Sequence, residues 1–189
     1  MINQSILWRR IDEPGHEFSQ LYFEDDIWRI TGTSIFVFGR RPRRPVRLDY
    51  VVICDADWQT RSAIVTGWIG DETIRVDIAV DDSRRWRLNG IEVPEVEGCV
   101  DIDFNFSPST NLLPIRRLRL DVGDEVAARA AWLRFPEFNL ESLDQSYRRA
   151  AGAVYRYETR AGKFVADLSV NEAGFVTIYP DLWELEATA

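Results

Sequence analysis

Residues 98–120 read GCVDIDFNFSPSTNLLPIRRLRL, and no other stretch constrains the fold so strongly. Apolar residues at 100, 102, 104 and 106 alternate with one cysteine and three polar residues, among them Asp101 and Asp103. A period of two indicates an extended strand whose two faces differ. Turn-forming residues follow at 107–111, and then an apolar segment with three arginines. Carboxylates and guanidinium groups are therefore expected to come within reach of each other. They would form either a structural ion pair or the polar part of a ligand site.

A short helix is expected directly after this turn, over residues 112–118. Leu112, Ile115 and Leu118 would share one face, and Pro114 would lie in the first turn, where its missing N–H costs no hydrogen bond. Asn111 is placed to cap the helix. A second possible helix covers residues 140–150.

Most of the remaining chain predicts short strands separated by turn residues at intervals of roughly 8–12 residues. The sharpest hairpin signal is Asn89-Gly90, because both residues accept positive φ at low cost. Closure of such a meander hides its edges. We therefore expect a mostly β fold, an antiparallel meander forming a curled partial barrel around the short central helix, in a single domain over residues 1–189. The predicted strands are 35–38, 47–54, 62–69, 73–81, 86–93, 100–106, 117–122, 126–135, 152–159, 163–170 and 175–179.

The composition restricts the possible partners. A net charge of -8 argues against nucleic acid or an anionic membrane as a partner, because affinity for phosphates comes from cationic surface. Cys54 and Cys99 are expected as buried free thiols. Neither a signal peptide nor a transmembrane run is found, so we expect a soluble, cytoplasmic protein, with its oligomeric state left open.

Catalytic and cofactor motifs are sparse. The single histidine, His16, cannot fill a multi-histidine zinc site, and a place in a surface loop or at a strand start is favoured. Asp55-Ala56-Asp57 is interpreted as a turn rather than a metal site, and the arginine run at 40–47 as a solvated loop. No phosphate loop and no GxSxG motif occurs. We expect no cofactor and no metal.

The central stretch resembles the signature of the putative glycolipid-binding family of bacterial proteins. Its motifs here are residues 98–104, Ser107-Pro108, Thr110-Asn111 and residues 113–118. Elements similar to the same family occur in the same order along nearly the whole chain: Tyr50, Asp55, Trp58, Thr60, Arg61, Phe135-Pro136, Gln145-Ser146-Tyr147 and residues 164–179. The resemblance implies a sheet curled around a short central helix, a shape similar to that of bacterial lipoprotein carriers, which hold acyl chains in a hydrophobic cavity.

The leading hypothesis for function is non-catalytic binding of an amphipathic small molecule, such as a glycolipid, in an apolar cavity with polar groups at its mouth. One alternative is a glycoside-type hydrolase with Asp101 and Asp103 as its acid/base pair. Another is a protein-interaction module without a small ligand. Arginines could also hold both aspartates as purely structural partners. The candidate ligand-binding residues are Asp101, Asp103, Asn111, Arg116, Arg117, Arg61, Gln145 and Tyr147.

Aromatic residues make up 12% of the chain and could either line a groove or fill the core. Those considered for a groove are Trp58, Trp68, Trp86, Trp132, Tyr147, Tyr155 and Tyr157.

Overall fold

The structure, a computed structural model, describes residues 2–159 and 162–189, which form fifteen strands and one α-helix. Two short 3₁₀ turns, Pro94–Val96 and Ser109–Asn111, precede strand β9 and helix α1 respectively. The elements are β1 (Ile2–Arg10), β2 (Gly15–Glu24), β3 (Ile27–Phe38), β4 (Arg44–Cys54), β5 (Thr60–Ile69), β6 (Glu72–Val80), β7 (Trp86–Leu88), β8 (Ile91–Glu92), β9 (Asp101–Phe104), α1 (Leu112–Leu118), β10 (Glu125–Arg134), β11 (Asn139–Ala151), β12 (Val154–Thr159), β13 (Phe164–Val170), β14 (Val176–Tyr179) and β15 (Trp183–Thr188).

All the strands belong to one sheet, in the order β8-β7-β6-β5-β4-β3-β2-β1-β15-β14-β13-β12-β11-β10-β9. Neighbouring strands are antiparallel except at one edge, where β9 runs parallel to β10 and Ala130 faces Asp101. β8 and β9 follow each other in sequence but lie at opposite edges of the sheet. The sheet is therefore strongly curled, since the connection between them has to span both edges.

The two sides of the curl meet near Thr60 at the start of β5. Its N–H donates to the carbonyl of Val100 at 3.2 Å, and its hydroxyl accepts from the N–H of Ile102 at 3.0 Å. The Arg84 guanidinium binds the carbonyls of Thr60, Cys99 and Val100 at 2.6–3.1 Å. The expected curled partial barrel is confirmed. We call the line along which β5 meets the segment 99–102 the seam; side-chain contacts and single backbone hydrogen bonds join it, in place of a continuous ladder.

The curl has two rims. The upper rim includes the connections β1–β2, β3–β4, β5–β6, β10–β11 and β14–β15, and the lower rim includes β2–β3, β4–β5, β11–β12 and β13–β14. β9 runs through the interior toward the upper rim, because it is parallel to β10. The chain then turns back inside the curl, and α1 ends at the lower rim. This interior segment, residues 101–118, is buried almost throughout, and Leu112 and Leu113 are 0% exposed.

Helix α1 has the bounds expected from the sequence, but its start differs in detail. Asn111 makes no capping hydrogen bond. Its amide instead donates to the hydroxyl of Tyr147 at 3.0 Å. The role proposed for Asn111 as a helix cap is therefore wrong, because a buried acceptor on the sheet takes its side chain.

The second possible helix, at 140–150, is also wrong, because these residues lie in β11, which pairs with β10 and β12. The predicted strand at 117–122 is wrong as well, since it overlaps the end of α1 and the turn after it. Strands β1, β2 and β15 were not predicted. The Asn89-Gly90 hairpin is confirmed, with φ values of 50° and 83°. Within the described residues, no helix has the length and apolarity that crossing a membrane would require.

Candidate functional site

A cavity of about 240 Å³ remains inside the curl, between β9 and the strands β11–β15. It lies toward the upper rim, where Phe164 is 36% exposed. Its walls are largely aromatic and include Trp132, Tyr157, Tyr179 and Trp183. The polar groups that line it are Asp103, Asn105, Ser107, Asn111 and Thr159.

Asp103 is the acidic group of this cavity. One of its carboxylate oxygens accepts a hydrogen bond from the Gln145 amide at 2.5 Å, and the same amide nitrogen also lies 3.0 Å from the Tyr157 hydroxyl. Loss of water around the carboxyl raises the pKa of Asp103 to about 6, although the Gln145 hydrogen bond acts in the opposite direction. Asp103 is therefore an acceptor, charged at neutral pH, whose protonation changes at mildly acidic pH.

Asp101 lies on the same strand but has a different environment. It is 1% exposed and is held by Arg117, with Nε–Oδ1 at 3.0 Å and Nη2–Oδ2 at 2.5 Å. Burial raises the pKa of the Asp101 carboxyl, while Arg117 opposes that rise. Both oxygens of Asp101 are thus occupied within the protein.

The expected site residues divide into three groups. Asp103 and Asn111 line the cavity, and Gln145 and Tyr147 support them through the hydrogen bonds described above. Asp101 and Arg117 form the neighbouring buried ion pair.

Arg61 and Arg116 are not part of this arrangement. The Arg61 guanidinium binds Asp55 at 3.0 Å and Asp82 at 2.7 Å, at the seam side of the lower rim. Arg116 lines a separate groove at the lower rim. Adjacent residues on a helix point about 100° apart, which directs Arg116 and Arg117 to different sites.

The structure also locates the other residues that the sequence analysis singled out. Asp55-Ala56-Asp57 forms a turn in which the Asp55 carboxylate accepts from the N–H groups of Asp57 and Gln59. No group of three or more potential metal ligands occurs in the described parts of the chain. His16 lies near the start of β2 with an exposed side chain, and Cys54 and Cys99 are buried and free.

The aromatic candidates also divide. Trp132 and Tyr157 line the cavity, whereas Trp58 and Tyr155 line the groove at the lower rim. Trp86 and Tyr147 belong to the core, and Trp68 is 46% exposed.

A buried polar cluster next to the cavity was not expected from the sequence. Glu17 is 1% exposed, and one of its carboxylate oxygens accepts from the Tyr50 hydroxyl at 2.7 Å and from the Ser107 hydroxyl at 2.5 Å. Its other oxygen has no hydrogen-bond partner among the described residues. Burial raises the pKa of Glu17 to about 7. Ser107 belongs to both this cluster and the cavity wall. Tyr50 and the Ser107-Pro108 pair, both part of the family resemblance, were the sequence signals available for the cluster.

Comparison with known proteins agrees with the observed fold. A family model described as "Putative glycolipid-binding" matches residues 5–185. The chain is similar to the crystal structure of a DUF1089 family protein from Pseudomonas aeruginosa, with 33% identity over 89% of this chain and 91% of that chain and a TM-score of 0.76. It is also similar to a β-barrel-like protein of the domain of unknown function DUF1849 from Brucella abortus, over 99% of this chain and 97% of that chain with a TM-score of 0.59. At 9% identity, that second likeness shows the fold alone. No curated protein matches the chain.

Proposed function

Since the chain belongs to the family described as "Putative glycolipid-binding", we propose that it binds an amphipathic ligand without converting it, with a sugar-sized polar ring in the cavity at the upper rim. The observation that supports this is the unfilled space beside Asp103, which persists although aromatic side chains fill most of the interior. A non-catalytic ligand-binding domain needs such a space and a few oriented polar groups.

The chemistry of the lining favours a sugar ring over a hydrocarbon chain as the buried part. A sugar ring has apolar C–H faces and hydroxyl groups around its edge. Flat aromatic walls such as Tyr179 and Trp183 suit the faces. The Asp103 carboxylate accepts hydrogen bonds, and the Asn111 side chain can accept or donate them.

The size of the cavity supports the same assignment. Ligand pockets usually measure about 300–1,000 Å³, and this one is slightly smaller at about 240 Å³. It therefore suits one ring rather than a whole acyl chain. The hydrocarbon part would lie at the upper rim, where each buried CH₂ contributes about 0.8 kcal/mol.

The alternatives receive less support from the same observations. A hydrolase that uses two carboxylates needs both to reach the substrate, and Arg117 occupies both oxygens of Asp101. A protein-interaction module would be expected to have a full core, whereas space remains beside Asp103.

The proposal is tested by calorimetric titration of octyl glucoside below its micelle concentration, with glucose and 1-octanol as part-ligand controls. We expect binding of the glycoside, and an affinity about tenfold weaker in Asp103→Asn, because a hydrogen bond to a charged group is lost. Asp144→Asn is the matched control, since Asp144 is exposed on β11 and its carboxylate has no partner among the described residues.

Equal binding of the glycoside and 1-octanol by the unmodified protein would contradict the sugar assignment. Absence of glycoside binding, or equal affinities in Asp103→Asn and the unmodified protein, would contradict the site. Thermal unfolding of each variant shows whether a loss of binding reflects a loss of fold.

A further inference from the structure

The lower rim contains a second and larger concavity, a groove of about 690 Å³ at the end of α1. Three arginines line it: Arg116 from α1, Arg119 from the residue after α1, and Arg149 from β11. The aromatic side chains of Trp58 and Tyr155 form part of its walls. We call this feature the arginine groove.

Two of these guanidinium groups are held in place without being neutralised. Arg149 donates to the carbonyl of Leu120 at 2.9 Å and to that of Gly152 at 2.6 and 3.1 Å, and it lies 5.8 Å from the Tyr155 ring centre. Carbonyl and ring contacts orient the group but leave its full charge in the groove.

Arg116 is oriented in the same way. Its guanidinium lies 5.3 Å from the Trp58 ring centre, and it donates to the carbonyl of Glu172 at 3.4 Å. Trp58 stacks in turn on Trp28 at 3.9 Å, which fixes the ring that supports the arginine. Gly174 packs against the aliphatic part of the Arg116 side chain. A Cβ added at Gly174 would lie 2.9 Å from Cδ of Arg116.

The charge of the groove is unusual for this protein. In the described parts of the chain, none of the three arginines has a carboxylate within 4.0 Å, whereas Arg75 and Arg156 elsewhere are paired with neighbouring acids. Among the described residues, Glu172 contributes the only carboxylate to the lining. Three positive charges and one negative charge leave a local balance of +2 in a chain of net charge -8.

The helix dipole explains only part of this arrangement. Basic residues are favoured in the last turn of a helix, which accounts for Arg116. Arg149 lies on a strand and points into the same space, and Arg119 is exposed with no interaction partner among the described residues. Arginines from the end of α1 and from β11 therefore line one space, each without a carboxylate within 4.0 Å among the described residues.

We propose that the arginine groove is a second binding site, which takes a phosphate group. Phosphate carries a charge of about −1.5 to −2 near neutral pH, which matches the local balance. A guanidinium group donates two parallel hydrogen bonds to a suitable acceptor. A phosphate suits the groove better than a single carboxylate, because each of the three guanidinium groups can bind a different phosphate oxygen. The phosphate could be free or part of a lipid head group, and both share this chemistry.

Calorimetry at low salt distinguishes these sources. Inorganic phosphate and dioctanoyl phosphatidic acid are titrated separately, with dioctanoylglycerol as the uncharged, chain-matched control. Binding of both phosphates indicates a site for the group itself, and binding of phosphatidic acid alone indicates a lipid head group. We expect the affinity to fall as salt is added, because the site is exposed.

Arg119→Gln should weaken phosphate binding about tenfold, since a charge-assisted contact is lost without a structural one. The matched control is Arg87→Gln, which removes the same charge from an exposed residue on β7 and should change the affinity less than twofold. Equal weakening by both variants would show non-specific attraction and overturn the proposal, as would the absence of binding by either phosphate. Neither result bears on the upper-rim cavity, because octyl glucoside has no charge.

Discussion

Arg117 holds both carboxylate oxygens of Asp101 in a bidentate pair inside the curl, at 3.0 and 2.5 Å. The Asp101 side chain is 2% exposed and that of Arg117 is 21% exposed. The pair ties the end of α1 to β9, so it fixes the position of the interior segment. This geometry makes Asp101 part of the structure and leaves Asp103 as the carboxylate that faces the cavity.

We expect Arg117→Met to lower the free energy of unfolding by about 3–5 kcal/mol at pH 7, because it leaves a buried carboxylate without its partner. The double variant Asp101→Asn, Arg117→Met should recover part of this loss, since no charge then remains buried. Urea unfolding measures both. Arg75→Met breaks an exposed pair and should cost less than about 1 kcal/mol. A similar cost for Arg75→Met and Arg117→Met would contradict the assigned role of the buried pair.

Glu17 should make the protein less stable as the pH rises. Burial raises its pKa from 4.5 to about 7, so the folded chain retains a proton that the unfolded chain has released. The stabilisation from this group is complete below about pH 4.5 and is lost as the pH rises to about 7. The difference amounts to roughly 3 kcal/mol.

Glu17→Gln should therefore remove this part of the decline in unfolding free energy between pH 5 and pH 8, because glutamine does not ionise. Urea unfolding at both pH values gives the comparison. Glu184→Gln, at an exposed position on β15, should retain the decline of the unmodified protein. If Glu17→Gln declines as steeply as Glu184→Gln, Glu17 does not have the raised pKa.

The sequence predicted the fold where the inner face of each strand is apolar. β4 is such a strand, with Val46, Leu48 and Val52 buried. Prediction failed at β2, where polar side chains point inward and hide the alternation of apolar and polar residues. β2 buries Glu17 and Ser19 and was missed.

β11 shows the same effect with a different outcome. Its inner face includes Gln145, and the remaining buried leucines, Leu140 and Leu143, are three residues apart. That spacing is typical of a helix, which is the structure that the sequence analysis considered possible for residues 140–150. The pairing with β10 and β12 overrides the local pattern.

The candidate site was predictable only in part. Asp101 and Asp103 were correctly placed on one strand, but the sequence does not show that Arg117 would hold one and Gln145 the other. Tyr179 and Trp183 approach the cavity from strands far from β9 in sequence, so local pattern alone could not assign them to it.

Gln145→Leu should raise the pKa of Asp103 above its value of about 6, because the hydrogen bond that stabilises the charged carboxylate is lost. A rise of about one unit corresponds to a hydrogen bond of this class. Carbon-13 NMR of the side-chain carboxyl groups follows the titration. Gln20→Leu, on β2, should leave the pKa of Asp103 unchanged. An unchanged or lower pKa in Gln145→Leu would contradict the assigned interaction.

Arg84 should determine how firmly the seam of the curl is closed. Its guanidinium binds three backbone carbonyls, those of Thr60, Cys99 and Val100, and so joins β5 to the segment before β9. Arg84→Met removes all of these donors. The φ of residue 84 is 60°, and methionine has to adopt the same backbone conformation as arginine. At about 1 kcal/mol for each carbonyl, the unfolding free energy should fall by about 3 kcal/mol.

Hydrogen exchange tests whether this loss is local to the seam. The amide of Ile102, which donates to the Thr60 hydroxyl, should exchange faster in Arg84→Met than expected from the change in global stability, because the seam opens before the rest of the sheet. Arg85→Met is the neighbouring control, since Arg85 pairs with Asp81 at the surface, and it should leave that amide protected. If Ile102 exchanges equally in the two variants, the seam depends on the packing of β9 and not on Arg84.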